Sequence, residues 1–214
     1  MMSLIESFAS DYFAWLGLPV ASGAAAVGSF ALQQVLRKRA EAAREILLDE
    51  LRRGVSLPGY VSEDDAAAVV FRYMRSAQEG AARLNLRLLA AVIAGKASSN
   101  GLTADEFLRW AGILEDLRRE EILLLGVFSK LEMNPPPSND GSAPPFIVWS
   151  AAKRELQVDY GLTDEQTTAA AYALLRTGLV VMVEGVMDHP MLPAPSTHLA
   201  EIRSIMSIEG VLSR

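Results

Sequence analysis

Apolar residues recur at steps of three and four along most of the chain, which is the spacing of a buried helix face. Between residues 36 and 51 this stripe consists of Leu36, Ala40, Ala43, Leu47 and Leu51. Arginine and glutamate occupy the other faces, so the pattern predicts a long amphipathic helix from Val20 to about Arg53. Gly54 and Pro58 follow in the order that is typical of a helix end.

The centre of the chain continues with helical patterns. Ser62 followed by Asp64 and Asp65 predicts a helix start, because acidic side chains in a first turn complement the helix dipole. The apolar pattern runs on past Gly80 into residues 84–93, which are apolar nearly all round. We expect this stretch to be the most buried element.

A junction rich in carboxylates follows. Thr103 and Glu106 have the spacing of a capping box, which predicts another helix start, and a helical stretch over residues 117–131 extends or follows that helix. Four carboxylates lie at the junction: Glu115, Asp116, Glu120 and Glu121. They could form a metal or acid–base site, but the interleaved Arg118 and Arg119 favour a solvated, charge-compensated face.

The segment of residues 12–36 contains no charged side chain over a length of 25 residues. A helix needs only about 20 residues to cross a bilayer, so this segment is a candidate membrane span. The basic residues Arg37, Lys38 and Arg39 follow at once. If the segment inserts, the positive-inside rule leaves the C-terminal bulk of the chain in the cytoplasm.

The same segment also fits a buried helical hairpin or an oligomer contact. Pro19 favours a break between a short helix over residues 4–16 and the long helix that follows. Small and apolar residues on the long helix permit close approach of another helix, in lipid or in protein. These contact residues are Ala21, Ala24, Ala25, Gly28 and Leu32. Both interpretations stay open on the sequence.

Residues 134–145 read NPPPSNDGSAPP, a composition that excludes a helix and is typical of an exposed linker. The linker predicts a helical bundle over residues 1–133 and a second domain over residues 146–214. In the second domain the patterns predict the order helix, turn, helix, hairpin, helix. We therefore expect a mainly α protein, a multi-helix bundle with a short β-hairpin near its C-terminus.

The stretch ALLRTGLVV (Ala173 to Val181), followed after a loop by MLPAPSTHLAEI (Met191 to Ile202), resembles the end of a winged-helix domain. In that family a helix turns through Gly-Leu into the first wing strand. The second strand leads through Thr-Pro-like residues into a closing helix. The resemblance implies a winged-helix-like subdomain over residues 146–214 and DNA binding through the helix from Thr163 to Arg176.

The charges of this region oppose DNA binding. The helix that would read DNA carries Asp164 and Glu165 at its start, and Arg176 is its one basic residue. Residues 145–214 hold 5 Lys and Arg against 8 Asp and Glu. Acidic groups repel phosphate, so a nucleic acid partner is not expected. Winged helices also serve as protein-binding modules, and that use suits these charges better.

The whole chain is also similar to the Abi-alpha type of bacterial abortive-infection and prophage proteins. The likeness rests on NLRLLAAVIAG (Asn85 to Gly95) and LRREEILLL (Leu117 to Leu125), which precede a Gly-Leu and Thr-Pro tail. It implies a phage-related role without an established biochemical activity.

Composition removes several kinds of chemistry. With no cysteine, the chain has no disulfide, iron–sulfur or thiolate zinc site, and it fits a reducing compartment. The two histidines, His189 and His198, could bind a metal but are more typical of a polar surface. No Gly-x-Ser-x-Gly elbow or phosphate-binding loop is present. We expect no enzyme activity, no cofactor, no metal and no small-molecule substrate.

The first hypothesis is a cytoplasmic or inner-membrane-associated interaction or regulatory protein, which forms homo-oligomers or binds a protein partner through its small-residue helix. A winged-helix DNA-binding regulator is the second hypothesis. The third is an effector whose N-terminal helices insert into a membrane.

Overall fold

The computed structural model of the chain describes residues 5, 8, 26–53, 62–98, 103–136, 144–184 and 191–213, with backbone only at 26–31, 97 and 98. In these ranges nine α-helices and one two-stranded antiparallel sheet form. The mainly α class with a short hairpin is thereby confirmed. The chain divides into two compact units, Met1–Asp116 and Leu117–Arg214.

The first unit is a helical bundle. Its helices are α1 (Ala26–Arg53), α2 (Glu63–Glu79), α3 (Arg83–Ser98) and α4 (Ala104–Leu114). The predicted stripe of α1 is buried from Ala40 to Leu51, while Leu36 at its start is only half-buried. Helix α3 packs against the other three helices, and its residues 88–94 are all buried. The expectation that residues 84–93 form the most buried element of the chain is wrong, because residues 84 and 87 are only half-buried, while residues 121–129 of the second unit form a longer unbroken buried run.

One carboxylate joins the starts of two helices in this unit. Ser62 caps α2 by accepting a hydrogen bond from the Asp65 N–H, as expected from the sequence. The Asp65 carboxylate accepts from the Ser62 hydroxyl at 2.6 Å and from the Ala104 N–H of α4 at 2.7 Å. These hydrogen bonds, the Ser62 bond first, lower the pKa of Asp65. The first turns of α2 and α4 are therefore tied together.

Helix α2 ends inside a stretch whose apolar sequence pattern is continuous. Gly80 adopts a left-handed conformation with φ of 104°, and its N–H donates to the carbonyls of Ser76 and Ala77. A residue with a side chain rarely adopts this conformation, so glycine is the favoured helix stop here. The apolar run beyond Gly80 belongs to a separate helix, α3.

Two buried polar side chains of the first unit have partners on neighbouring helices. The Tyr73 hydroxyl donates to the Ala43 carbonyl at 2.9 Å, and burial raises the pKa of Tyr73 far above its usual value. The Asn85 amide donates to the Leu114 carbonyl at 2.7 Å. Satisfied hydrogen bonds of this kind remove the cost of burying polar atoms and fix how helices align.

The second unit is built around one helix. Its helices are α5 (Arg119–Met133), α6 (Pro145–Tyr160), α7 (Asp164–Leu174), α8 (Thr197–Ile205) and α9 (Ile208–Leu212). Helix α5 packs against all four others and is apolar on most of its surface. Its Phe128 ring lies 6.3 Å from the ring of Trp149 on α6. Thr163 and Gln166 form the predicted capping box of α7.

A short hairpin follows α7. A 3₁₀ turn (Leu175–Thr177) leads through Gly178, at φ of 71°, into β1 (Val180–Val183), which pairs with β2 (Leu192–Pro195). Pro195 lies opposite Val180, and Pro193 lies opposite Met182. Alternate residues of an antiparallel strand direct their N–H groups toward and away from the partner strand. Because proline has no N–H to donate, it fits the positions that face away from β1, and Pro193 and Pro195 occupy those positions. The element order helix, turn, helix, hairpin, helix is as the sequence predicts.

The division between the compact units differs from the boundary that composition predicts. Residues 119–133 form α5, which the linker prediction assigns to the first domain and the packing assigns to the second unit. The buried face of α5 is covered by α6 to α9, which explains the difference. Most of the predicted linker, residues 137–143, lies outside the described residues.

Candidate functional site

The predicted contact segment of the long helix is partly described. Ala21, Ala24 and Ala25 lie outside the described residues, and Gly28 lies in the first turn of α1. Leu32 is 59% exposed and Val35 is 47% exposed. Every side chain from residue 32 to residue 35 is exposed. This stretch of α1 therefore precedes the part that the core of the first unit covers.

The three basic residues that follow differ in their surroundings. Arg37 forms an ion pair with Glu41 one turn later, at 2.9 Å. Arg39 donates to the Gln78 carbonyl at 2.8 Å, near the C-terminus of α2, where a cation is favourable. Lys38 is exposed. Arg39 thus helps to join α1 and α2.

A membrane span is not found in the part of the chain that the structure describes. None of the helices there is both long and apolar enough to cross a bilayer. Residues 12–25 of the candidate span, and with them the break expected at Pro19, lie outside the described residues.

The carboxylate cluster at the junction of α4 and α5 is divided between two structural roles. Glu115 accepts a hydrogen bond from the Ser76 hydroxyl at 2.8 Å and forms an ion pair with Arg72. It belongs to the first unit, where it joins α4 to α2. The expectation of a solvated face is wrong for Glu115, which is half-buried, and for Glu121, which is 1% exposed.

Glu121 forms the most buried ion pair of the second unit among the described residues. Its two carboxylate oxygens accept from the two terminal nitrogens of Arg176, at 2.6 and 3.1 Å. The Arg118 N–H also donates to Glu121 at 2.8 Å, which caps the start of α5. Arg176 in addition donates to the Ala173 carbonyl. This bidentate ion pair joins α5 to the turn that leads into β1.

The surface of α7 combines acidic, small and aromatic side chains. Its exposed residues are Asp164, Glu165, Gln166, Ala169 and Tyr172. Tyr172 is 56% exposed. Asp164 pairs with Lys153 of α6 at 2.9 Å, and Arg176 beyond its C-terminus is held by Glu121. The helix that the winged-helix resemblance assigns to DNA reading therefore offers no unengaged cation between residues 164 and 176.

Of the two histidines, the structure describes only His198. His189 lies outside the described residues, and His198 is exposed near the start of α8. A Cβ at position 178 would lie 3.2 Å from the His198 Nδ1, so the imidazole covers Gly178. Over the described residues, no group of three or more His, Cys, Asp or Glu side chains is arranged to hold a metal ion.

A second charged cluster lies where α5, α6, α8 and α9 meet. Lys130 pairs with Glu155 of α6 at 2.6 Å, and Arg203 of α8 pairs with Glu132 at 2.6 Å. Glu209 of α9 lies near this cluster, with one carboxylate oxygen buried. Sequence reasoning missed it because its members are up to 79 residues apart, counting from Lys130 to Glu209. The excess of Asp and Glu over Lys and Arg in residues 145–214 is the one sequence feature that points to such a cluster.

Comparison with known protein families, with characterised proteins and with solved structures finds no match for this chain.

Proposed function

We propose that this chain is a non-enzymatic helical interaction protein that self-associates through the first turns of α1. The observation that carries the proposal is the exposure of Leu32 and Val35 on an uncharged stretch of that helix. Residues three apart on a helix are neighbours, so the two side chains share one face. Exposed apolar side chains grouped on one face favour a contact with another molecule.

The partner in this proposal is a second copy of the same helix. The predicted contact residues Ala21, Ala24, Ala25 and Gly28 continue the uncharged stretch toward the N-terminus, and small side chains permit close helix approach. A parallel or antiparallel pair of copies would cover Leu32 with its counterpart. Two-fold pairing of identical surfaces is the commonest form of protein assembly.

The test is the molar mass of the full chain in detergent-free solution, measured by sedimentation or light scattering over a range of concentrations. The double variant Leu32→Glu, Val35→Glu should shift the protein toward monomer with an unchanged helical spectrum. Leu108→Glu is the matched control, because Leu108 is 44% exposed on α4 of the same unit. A parent protein that stays monomeric, or a double variant that associates as before, would contradict the proposal.

Membrane association is the outcome that the same test must separate from self-association. Flotation with vesicles that contain anionic lipid distinguishes the two, since Lys38 and the neighbouring arginines would favour an anionic surface. If the parent binds vesicles and the Leu32, Val35 variant does not, the partner of this surface is lipid and not a second copy of the chain.

Two features of α7 favour a protein partner over DNA for the winged-helix-like unit. Its exposed face carries Glu165 and Tyr172, and the single arginine at its end is occupied by Glu121. Tyrosine is enriched at protein interfaces, whereas phosphate binding needs free cations. DNA affinity that falls steeply with added salt would instead support the regulator hypothesis. The resemblance to Abi-alpha proteins adds a phage-related setting, testable by phage plating on expressing cells.

A further inference from the structure

The C-terminal helix α9 lies against α5 at a glycine. Ile208 and Val211 of α9 are buried. A Cβ at position 126 would lie 2.5 Å from the Leu212 Cδ1 and 3.7 Å from the Ile208 Cγ2. Real atoms do not approach so closely to a Cβ, so Leu212 keeps this position only because residue 126 has no side chain. Gly126 therefore forms a notch that receives the apolar face of α9.

The same short helix also buries a carboxylate oxygen. The Oε1 atom of Glu209 is buried and has no hydrogen-bond partner among the described residues. A charged oxygen buried without a donor loses its hydration and gains nothing in return. The closed position of α9 is thus opposed by one of its own side chains.

The groups that face Glu209 do not neutralise it. They are Lys130 of α5, Glu155 of α6 and Arg203 of α8, and Asp159 and Glu132 lie beside the two cations. Lys130 already pairs with Glu155, and Arg203 already pairs with Glu132. Each cation is thus paired with a carboxylate other than Glu209.

We infer that α9 detaches reversibly from α5, and we call α9 the clasp. The fit of Ile208 and Leu212 at Gly126 favours its closed position. The charged Glu209 carboxylate opposes this position, and neutralising that carboxyl stabilises it. Opening uncovers the face of α5 around Gly126. This inference concerns a surface of the second unit, and it does not depend on the self-association proposed for the first unit.

The direction of the pH effect follows from the burial of Glu209. Loss of hydration, with a smaller contribution from Glu155, raises the pKa of Glu209, while Lys130 and Arg203 act in the opposite direction. A carboxyl whose pKa is higher in the closed state binds its proton more tightly there. Closing is therefore favoured as the pH falls through the raised pKa and is weakened above it.

The test uses the absence of native cysteine. Val211→Cys in the full chain gives one buried thiol, whose modification by a small uncharged reagent reports opening of α9. Rates are divided by those of the same protein in urea, which removes the effect of Glu209 on the thiol itself. At about pH 7.5, Glu209→Gln should slow modification by roughly fivefold, and the difference should shrink as the pH falls and vanish only below the ordinary glutamate pKa of about 4.3.

Glu165→Gln on the exposed face of α7 is the matched control and should leave the rate unchanged. Equal rates for Glu209→Gln and its parent at about pH 7.5, or a difference that does not change with pH, would overturn the clasp. Hydrogen exchange of residues 207–213 in the cysteine-free chain repeats the comparison without a core substitution.

The notch is tested separately. Gly126→Ala improves intrinsic helix propensity, so the fold should persist, but its methyl group collides with Leu212 and should release α9. Adding Leu212→Ala makes room and should restore slow thiol modification. Fast modification in the double variant, or no release in the single one, would overturn the fit at Gly126.

Discussion

At the scale of the residue, the ion pair between Glu121 and Arg176 is the contact whose loss should cost the most. Glu121 is 1% exposed, so its charge has exchanged nearly all of its water for Arg176 and the Arg118 N–H. Arg176 remains about half exposed and would be rehydrated easily if released. The cost of breaking the pair therefore falls on Glu121.

Arg176→Met should lower the free energy of unfolding by about 2–4 kcal/mol, because it leaves a buried carboxylate without its cation. Urea denaturation measures this change. Arg154→Gln, at an exposed position of α6, is the control and should cost less than about 0.5 kcal/mol. The double variant Glu121→Leu, Arg176→Met should recover most of the loss, and a double variant as unstable as the single one would show that the pair matters for another reason.

Neither partner of this pair could be identified from the sequence. Glu121 lies among residues that alternate in charge, and a local pattern assigns such a carboxylate to solvent. Its partner is 55 residues away, brought near by the packing of α7 on α5. Glu115 was hidden in the same way, because Arg72 and Ser76 lie on a different helix. Side-chain pairing across elements depends on tertiary packing, which local spacing does not contain.

At the scale of the element, two glycines of the first unit make a matched pair. Gly80 ends α2 in a left-handed conformation, whereas Gly112 lies inside α4, where an added Cβ would meet no atom within 4 Å. Gly80→Ala should destabilise the protein by about 1 kcal/mol, and Gly112→Ala should stabilise it by about 0.5–1 kcal/mol. Thermal unfolding of both variants checks the opposite signs. Equal signs would contradict the assigned conformation of one of them.

Helix starts were predictable because their chemistry is local. Ser62, Thr103 and Thr163 each accept a hydrogen bond from the N–H three residues later, as their sequence spacing predicts. The end of α2 was missed because the apolar period continues across Gly80. In that stretch the period reflects two helices that share one core, and the conformation of Gly80 separates them.

At the scale of the whole molecule, α5 decides which segment can fold alone. The segment 117–214 retains α5 and should unfold cooperatively in urea with a helical spectrum. The segment 146–214 corresponds to the boundary that composition predicts, but it lacks the helix against which α6 to α9 pack. We expect it to lose cooperative unfolding, since its apolar faces would have no partner. A cooperative unfolding transition for the segment 146–214 would instead support the domain boundary that the linker composition predicts.

The prolines of β2 affect how readily copies of this protein can pair through their strands. Pro193 and Pro195 occupy alternate positions of the strand, on the side directed away from β1. An incoming strand on that side would find carbonyl acceptors without the donors that a ladder needs. The hairpin is therefore protected from growing into an intermolecular sheet along β2, a safeguard against aggregation that acts as soon as the two strands have paired.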